Sequence, residues 1–404
     1  FPWIHETGTQ TLTSAGLIAA TSALLLFTVI NAFGVKFFTY VNSTLTWAKL
    51  FIPIVLALVL IISRFDASNF TNTGGFAPYG TKGILAAVSS GGVIFSFIGF
   101  RHAIDMAGEV KNPRVTIPAA LLLSIMICAL VYIGLQIAFI GALSPTDLKD
   151  GWANLNFGSS GPLDGVLLSI GLLWFISILN IGSVIGPFGN ALVSTGSNAR
   201  LALAMSENGF LPHILQHLSS LGVPLWALVL NFFIGLTFLL TVPFKEIVAL
   251  NGASIVLSFV VGPIAVVALR QLAPNRHRSF KLPAVHLIAI LAFIVSTLVV
   301  YWSGWHTVWR LGIALVVGFV LLLVRYRHSL REIDGPQALW LLPYLGGIGI
   351  ISYLGGFGDG ALKLIPFGWD IVVCSVFSVA IFMLALRSKL PKDKYRSYIA
   401  EVRL

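Results

Sequence analysis

Residues 84 to 120 read ILAAVSSGGVIFSFIGFRHAIDMAGEVKNPRVTIPAA. A long apolar run carries Gly91, Gly92 and Gly99. It runs into Arg101, His102, Asp105 and Glu109, and closes on the Lys111-Asn112-Pro113-Arg114 turn. A helix needs about 20 apolar residues to cross the hydrocarbon core of a bilayer, and this run has the length. Its middle is soft, because glycine costs about 1 kcal/mol against alanine inside a helix. Ionisable groups at membrane depth are costly and usually face a cavity or the bundle interior. A glycine-interrupted span ending in charge is how transporters build a broken helix near the membrane midplane. The plainer reading is an ordinary span with packing glycines, its charges already at the water boundary. Periodicity alone leaves both open.

The rest of the chain agrees with a membrane setting. Of 404 residues, 57% are hydrophobic and 10% charged, and the mean hydropathy is +0.93. A soluble domain carries about 25% charged residues, so the chain reads as a polytopic helical membrane protein. A net charge of +10 would suggest nucleic acid in a soluble protein. Here it reflects positively charged cytoplasmic loops, and no nucleic-acid partner is expected. Cys128 and Cys374 sit in apolar runs and make neither a metal nor a disulfide pattern. No Walker loop, metal pattern or nucleophile motif is found, which argues against ATP-driven pumping, a bound cofactor and a membrane enzyme.

Eleven apolar spans are predicted, near 13–33, 40–63, 84–104, 117–142, 165–200, 224–242, 247–269, 283–303, 308–324, 337–356 and 367–387. The fifth is too long for one straight span and contains Gly186-Pro187, so a kink or a cytoplasmic extension is expected. Assigning the loops alternately puts eighteen of the 25 Lys and Arg residues on one side, six of them in the tail from Arg387, and six on the other; Lys49 is left inside a span. The positive-inside rule then places the tail in the cytoplasm and the N-terminus outside. The chain begins at Phe1, with neither an initiator Met nor a signal peptide. An odd span count with an external start is explained most simply by a missing N-terminal part; the alternative is a miscount by one span near the glycine-rich stretch 337–356.

At residues 95 to 120 a family resemblance becomes specific. FSFIGF…AGEVKNPRVTIPAA resembles the sixth helix and following loop of the amino acid–polyamine–organocation (APC) superfamily of permeases. VINAFGVKFFTYVNSTLTWAKL at 29–50 resembles that family's fourth and fifth helices, and NARLALAMSENGFLPHILQHLSSLGVPL at 198–225 its loop after helix eight. Order and spacing match, so the resemblance covers roughly 13 to 270. It implies an all-α integral membrane fold of two inverted five-helix repeats, with family helices one to three absent. Residues 1–83 would then be the remnant of the first repeat, 84–269 the second repeat, and 270–404 accessory helices with a basic cytoplasmic tail. A parent of fourteen spans is implied, resembling cationic amino acid permeases and some bacterial acidic amino acid:proton symporters. The chain as given would lack half the substrate site, and alone is expected not to transport.

The resemblance also assigns candidate residues. The substrate ammonium would be met by carbonyls exposed where helix six unwinds, at Phe95, Ser96, Phe97, Ile98 and Gly99, with unwinding expected near Ser96 to Gly99. Phe97 or Phe100 would act as a lid, or else face lipid or core. Arg101 departs from the family, which often has an acid or a neutral polar residue there. A guanidinium can grip a substrate carboxylate through two parallel hydrogen bonds, which favours aspartate or glutamate. Its structural alternative is a pair with Asp105 or Glu109. An unperturbed histidine titrates near neutral pH, so His102 is a candidate proton site, though a satisfied structural histidine is the ordinary reading.

Lys49 is the one cation well inside a span, and burial lets such an ammonium exchange a proton near neutral pH. It resembles the family's helix-five lysine in members that use protons, and is the candidate proton-coupling residue; snorkelling to the boundary is the alternative. Ser194 and Thr195, with Ser197, would face it, or serve as helix-packing hydroxyls. Residues 109 to 114 read as a structural or gating loop, and Asn208-Gly209 with Pro212 as a turn of the same kind. Arg276-His277-Arg278 and the tail are inside anchors for anionic membrane lipid.

The expected function is therefore secondary active amino acid transport by alternating access: the expected substrates are acidic, and the expected partner ion is the proton. The alternatives are an amino acid exchanger, a polyamine carrier, or a non-transporting sensor or partner subunit on a permease scaffold. The expected location is a cell membrane, of the bacterial inner-membrane kind, crossed many times.

Overall fold

The computed structural model describes residues 12–89, 92–157, 161–242, 244–278, 280–325, 335–357 and 360–401. The expectation for the polar N-terminus, like that for Gly91, lies outside them. The described chain is helical. In order it forms α1 (Ser14–Ala32), α2 (Val35–Ser63), α3 (Gly80–Ser89), α4 (Val93–Phe97), α5 (His102–Asp105) and α6 (Pro113–Ala142). Then follow α7 (Pro162–Ile170), α8 (Leu173–Glu207), α9 (Leu225–Thr241), α10 (Phe244–Phe259) and α11 (Val261–Leu272). The last are α12 (Val285–Trp302), α13 (Trp305–Arg325), α14 (Gly335–Ala338), α15 (Leu341–Leu354), α16 (Trp369–Arg387) and α17 (Lys392–Glu401).

Nine of the described helical stretches are long and apolar enough to cross a membrane. The broken pair Gly80–Val88 and Val93–Asp105, with the 17-residue α9, brings them into register with the eleven predicted spans. Their outward surfaces are apolar: α6 exposes Leu122, Leu130 and Ile133, and α1 exposes Ile18 and Leu25. Contiguous apolar exposure of that extent belongs against lipid. The fold is thus that of an all-α, multi-pass membrane protein.

The fifth predicted span resolves differently from expectation. Its break falls at Gly171, in the left-handed region at φ 82, where the absence of a Cβ makes that backbone accessible. This separates α7 from α8. Past that point α8 runs 35 residues through Pro187 to Glu207, about 52 Å at 1.5 Å per residue. That exceeds a hydrocarbon core of about 30 Å, so the expected extension beyond the membrane is present.

The chain packs as two units. The first comprises Phe1–Gly80 and Gly99–Pro243, and the second Thr81–Ile98 and Phe244–Leu404. This grouping by packing cuts the chain at other places than the sequence division at 83 and 269.

In the first unit α8 is the shared wall, meeting α1, α2, α5, α7 and α9. Leu56 and Leu60 of α2, Ala138 and Ala142 of α6, and Phe175 of α8 form one core. The α6 carbonyls left open at its C-terminus are taken by Asn69, whose Nδ2 donates to Ile140 O at 3.0 Å and Leu143 O at 2.9 Å.

In the second unit α12 is the centre, with α10, α11, α15 and α16 around it. Its polar staple is Asp370, fully buried in the first turn of α16. That carboxylate accepts from Tyr301 Oη at 2.6 Å and from the Gly368 and Ile371 amides at 2.8 Å each. A buried charge is tolerated because its oxygens are satisfied, and the helix N-terminus favours it.

Candidate functional site

The broken helix is present, but its break lies earlier than expected. Gly92 takes φ 85, ψ 5, a left-handed conformation open to glycine. From Val93 the chain is helical again, with Ser96 N–H donating to Gly92 O at 3.1 Å and Ser96 Oγ to the same oxygen at 3.1 Å. Ser96 and Phe97 therefore do not sit in unwound chain. The helix tightens instead to a 3₁₀ turn over Ile98–Arg101, a geometry common where a helix changes course. Two glycine sites were available in the sequence, and the more N-terminal one took the sharp turn.

The expected substrate residues divide between the packing units. In the second unit, Phe95 lies over Gly252 of α10, where an added Cβ would stand 3.6 Å from its ring. Ser96 is exposed, Phe97 half-buried and Ile98 buried. In the first unit, Gly99 is exposed, and Phe100 and Arg101 are half-buried. Arg101 makes no hydrogen bond or ion pair with any other described residue. The suggested pair with Asp105 is not made, because Asp105 is engaged elsewhere; the Glu109 side chain lies outside the described ones.

Lys49 points from α2 into the face of α8. A Cβ built on buried Gly189 would collide with Lys49 Nζ and Cε, so the ammonium occupies the space that the glycine leaves. One heptad earlier, Gly182 receives Ile52 of α2 in the same way, at 3.0 Å from an ideal Cβ. Lys49 has no hydrogen-bonding partner among the described residues. Ser194 and Thr195 are not on this face: five and six residues beyond Gly189, they lie about 140° and 120° round the helix from it. The Thr195 hydroxyl donates to Ala191 O within its own helix, at 2.8 Å.

The hydroxyls of α8 instead meet α5. Ser194 Oγ is 3.4 Å from His102 Nε2, and Ser197 Oγ donates to Asp105 Oδ2. Within α5, His102 Nδ1 stands 3.7 Å from the same Asp105 oxygen. Each pair is separated by three residues, so one turn of α5 lies in register with one turn of α8. Beside them, buried Asn31 of α1 donates to Leu192 O at 3.0 Å and to Phe27 O at 2.9 Å. Arg200 donates to Gly196 O at 2.8 Å. A Cβ on Gly196 would collide with Asn31 Oδ1.

Sequence reading missed the Asp105–Ser197 contact, Asn31 and Gly189 as a receptor for Lys49. A signal for the last exists: Gly182, Gly186, Gly189 and Gly196 form a small-residue stripe of the kind that lets helices approach closely.

The amino acid permease family model matches residues 3–322. A glutamate/serine transporter of Bacillus subtilis, AimA, is 32% identical over 385 residues, covering 94% of this chain and 71% of the relative. An aspartate-proton symporter of the same organism is 33% identical over 399 residues, covering 97% of this chain and 76% of the relative. The branched-chain amino acid permease BcaP of B. subtilis is 28% identical over 313 residues, covering 76% and 63%. Their transporter identities agree with the all-helical membrane fold and with the motifs at 29–50, 95–120 and 198–225. The chain belongs to the amino acid permease family.

Proposed function

We propose that this protein is a secondary active transporter that carries an acidic amino acid across a cell membrane together with protons, its C-terminal tail in the cytoplasm. Arg101 carries the substrate reading. It follows the broken helix, is half-buried, and has no counter-charge bound among the described residues. A guanidinium without an internal partner is available to a substrate carboxylate, bidentately. The names of the two similar proteins, a glutamate/serine transporter and an aspartate-proton symporter, support the same class. The Phe95–Gly99 segment is proposed to contribute the remaining substrate contacts, through its backbone and the Phe97 ring. The inverted-repeat assignment of 1–83 and 84–269, with 270–404 as accessory helices, is part of this proposal.

Lys49 is the proposed proton-coupling residue. Its ammonium is set against Gly189 and has no acceptor among the described residues, which leaves it open to proton exchange during transport.

The test is uptake of radiolabelled aspartate into proteoliposomes bearing the natural full-length protein, with and without an inward proton gradient. Accumulation that follows the gradient supports the reading. No uptake of any acidic amino acid would remove the substrate assignment, and uptake indifferent to the gradient would remove proton coupling.

A further inference from the structure

The contact between α5 and α8 contains a titratable pair that the proposed roles of Arg101 and Lys49 leave unused. His102 Nδ1 is buried and has no hydrogen-bond partner among the described residues, yet faces Asp105 Oδ2 at 3.7 Å. That is too long for a hydrogen bond. A protonated imidazole and a carboxylate close to about 2.7–2.9 Å, so the pair has roughly 0.9 Å to gain on taking up a proton. Each member also touches α8, His102 through Ser194 and Asp105 through Ser197. Only Asp105 Oδ2 serves both the Ser197 hydroxyl and His102.

We propose that His102 and Asp105 are a proton-binding pair whose loading sets how α5 is latched to Ser194 and Ser197 of α8. The inference rests on the proton-coupled reading above. The proton enters on the imidazole, is held by the Asp105 carboxylate, and leaves from the imidazole on the other side of the cycle, so one proton is moved and none consumed. Loading draws His102 toward Asp105 and away from Ser194. Unloading returns the neutral ring to the hydroxyl.

The segment that shifts is joined to the 3₁₀ turn ending at Arg101 with no residue between. Proton occupancy is thereby passed to the proposed carboxylate-binding residue through one peptide bond. The charged groups on the elements packed around the pair are Arg101 ahead of it, Glu109 in the following turn, Arg114 at the start of α6, and Arg200 and Glu207 on α8. Arg200 is bound to the Gly196 carbonyl, and Asp105 is the carboxylate in contact with His102.

The experiment compares the natural full-length protein with its His102→Gln, Asp105→Asn and Ser197→Ala variants in proteoliposomes. Each is measured for gradient-driven aspartate accumulation and for aspartate exchange without a gradient. With an imposed gradient of one pH unit, a one-proton symporter concentrates its substrate at most about tenfold. The inference expects that accumulation ratio to fall toward unity in His102→Gln and Asp105→Asn. Ser197→Ala retains the pair but takes a hydrogen bond from the carboxylate form, which makes it a better proton acceptor. Its uptake should therefore reach half-maximum at higher pH than the unaltered protein's, a shift that merely weakened packing would not give. Wild-type accumulation in His102→Gln, or an unmoved midpoint in Ser197→Ala, would overturn the inference. No aspartate accumulation by the unaltered protein would instead overturn the functional reading on which it rests.

Discussion

Gly189→Ala separates the position of the Lys49 ammonium from its charge. The added methyl would occupy the space now held by Lys49 Nζ and Cε. Two terms set its effect on stability. Replacing a helix-interior glycine by alanine gains about 1 kcal/mol. Overpacking costs about 1–3 kcal/mol where the neighbour is rigid. Lys49 is the far end of a flexible side chain and can swing away, so the cost falls at the low end and the two nearly cancel, leaving a net change within about 1 kcal/mol. Gly141→Ala is the contrast, because there the new Cβ would strike the ring of Phe65. The Phe65 ring is part-exposed, but it moves as one rigid unit with fewer rotatable bonds than a lysine side chain, so it yields less readily and the cost is about 1–3 kcal/mol.

The assay pairs thermal unfolding of the purified protein in detergent with gradient-driven aspartate uptake. Gly189→Ala should melt close to the unaltered protein and lose its response to the proton gradient. Gly141→Ala should melt earlier and keep its gradient response in the fraction that remains folded. If Gly189→Ala transports with an unchanged gradient dependence, the seat of Lys49 against α8 does not matter to coupling. If it unfolds as readily as Gly141→Ala, the flexible-end argument fails.

Lys49→Ala should abolish the stimulation of aspartate uptake by an inward proton gradient while leaving exchange measurable; full stimulation in the variant would exclude a coupling role. Arg101→Gln should raise the half-saturating aspartate concentration by about 10- to 150-fold, the equivalent of a charge-assisted hydrogen bond. Equal weakening for serine in a competition assay would count against a carboxylate contact. Asp370→Ala removes the acceptor of Tyr301 Oη and two amides, and should destabilise the protein by about 1–3 kcal/mol for each buried donor left unpaired. Its melting curve decides this, and a shift indistinguishable from zero would mean that water replaces the carboxylate. Asn69→Ala should lower the melting temperature more modestly, since it frees carbonyls at one helix end.

The broad architecture was legible because apolar run length is a one-dimensional signal and the bilayer reads it directly. The predicted spans follow the observed helices in order, including the interrupted one. What the sequence left ambiguous was local where backbone freedom was duplicated. Residues 91, 92 and 99 are all glycine, and Gly92 rather than the Ser96–Gly99 stretch took the left-handed turn. The fifth span had Gly171 as well as Gly186-Pro187, and Gly171 interrupted it.

The site was legible only by residue type. A lysine in an apolar span marks itself, but its seat at Gly189 depends on how α2 lies across α8, which no periodicity within either helix contains. The same holds for Asp105. Its partner Ser197 is 92 positions away, and Arg101, nearer along the chain, was the more natural suggestion. Asp370 had a readable signal that went unused: an acidic residue two positions after a glycine, opening a long apolar run, marks a helix start.

The two turns of α8 between Gly189 and Ser197 have a consequence for how this protein tolerates change in length. Within about 12 Å of helix axis, Lys49 is seated at Gly189, Asn31 is bound at Leu192 and set against Gly196, His102 meets Ser194, and Asp105 meets Ser197. Three neighbouring segments read their alignment from the same short ruler. Inserting or deleting one residue there would advance everything beyond it by about 1.5 Å and 100°, unseating the contacts on one side of the change whichever side is held fixed. The stretch behaves as a keyway cut to a single depth.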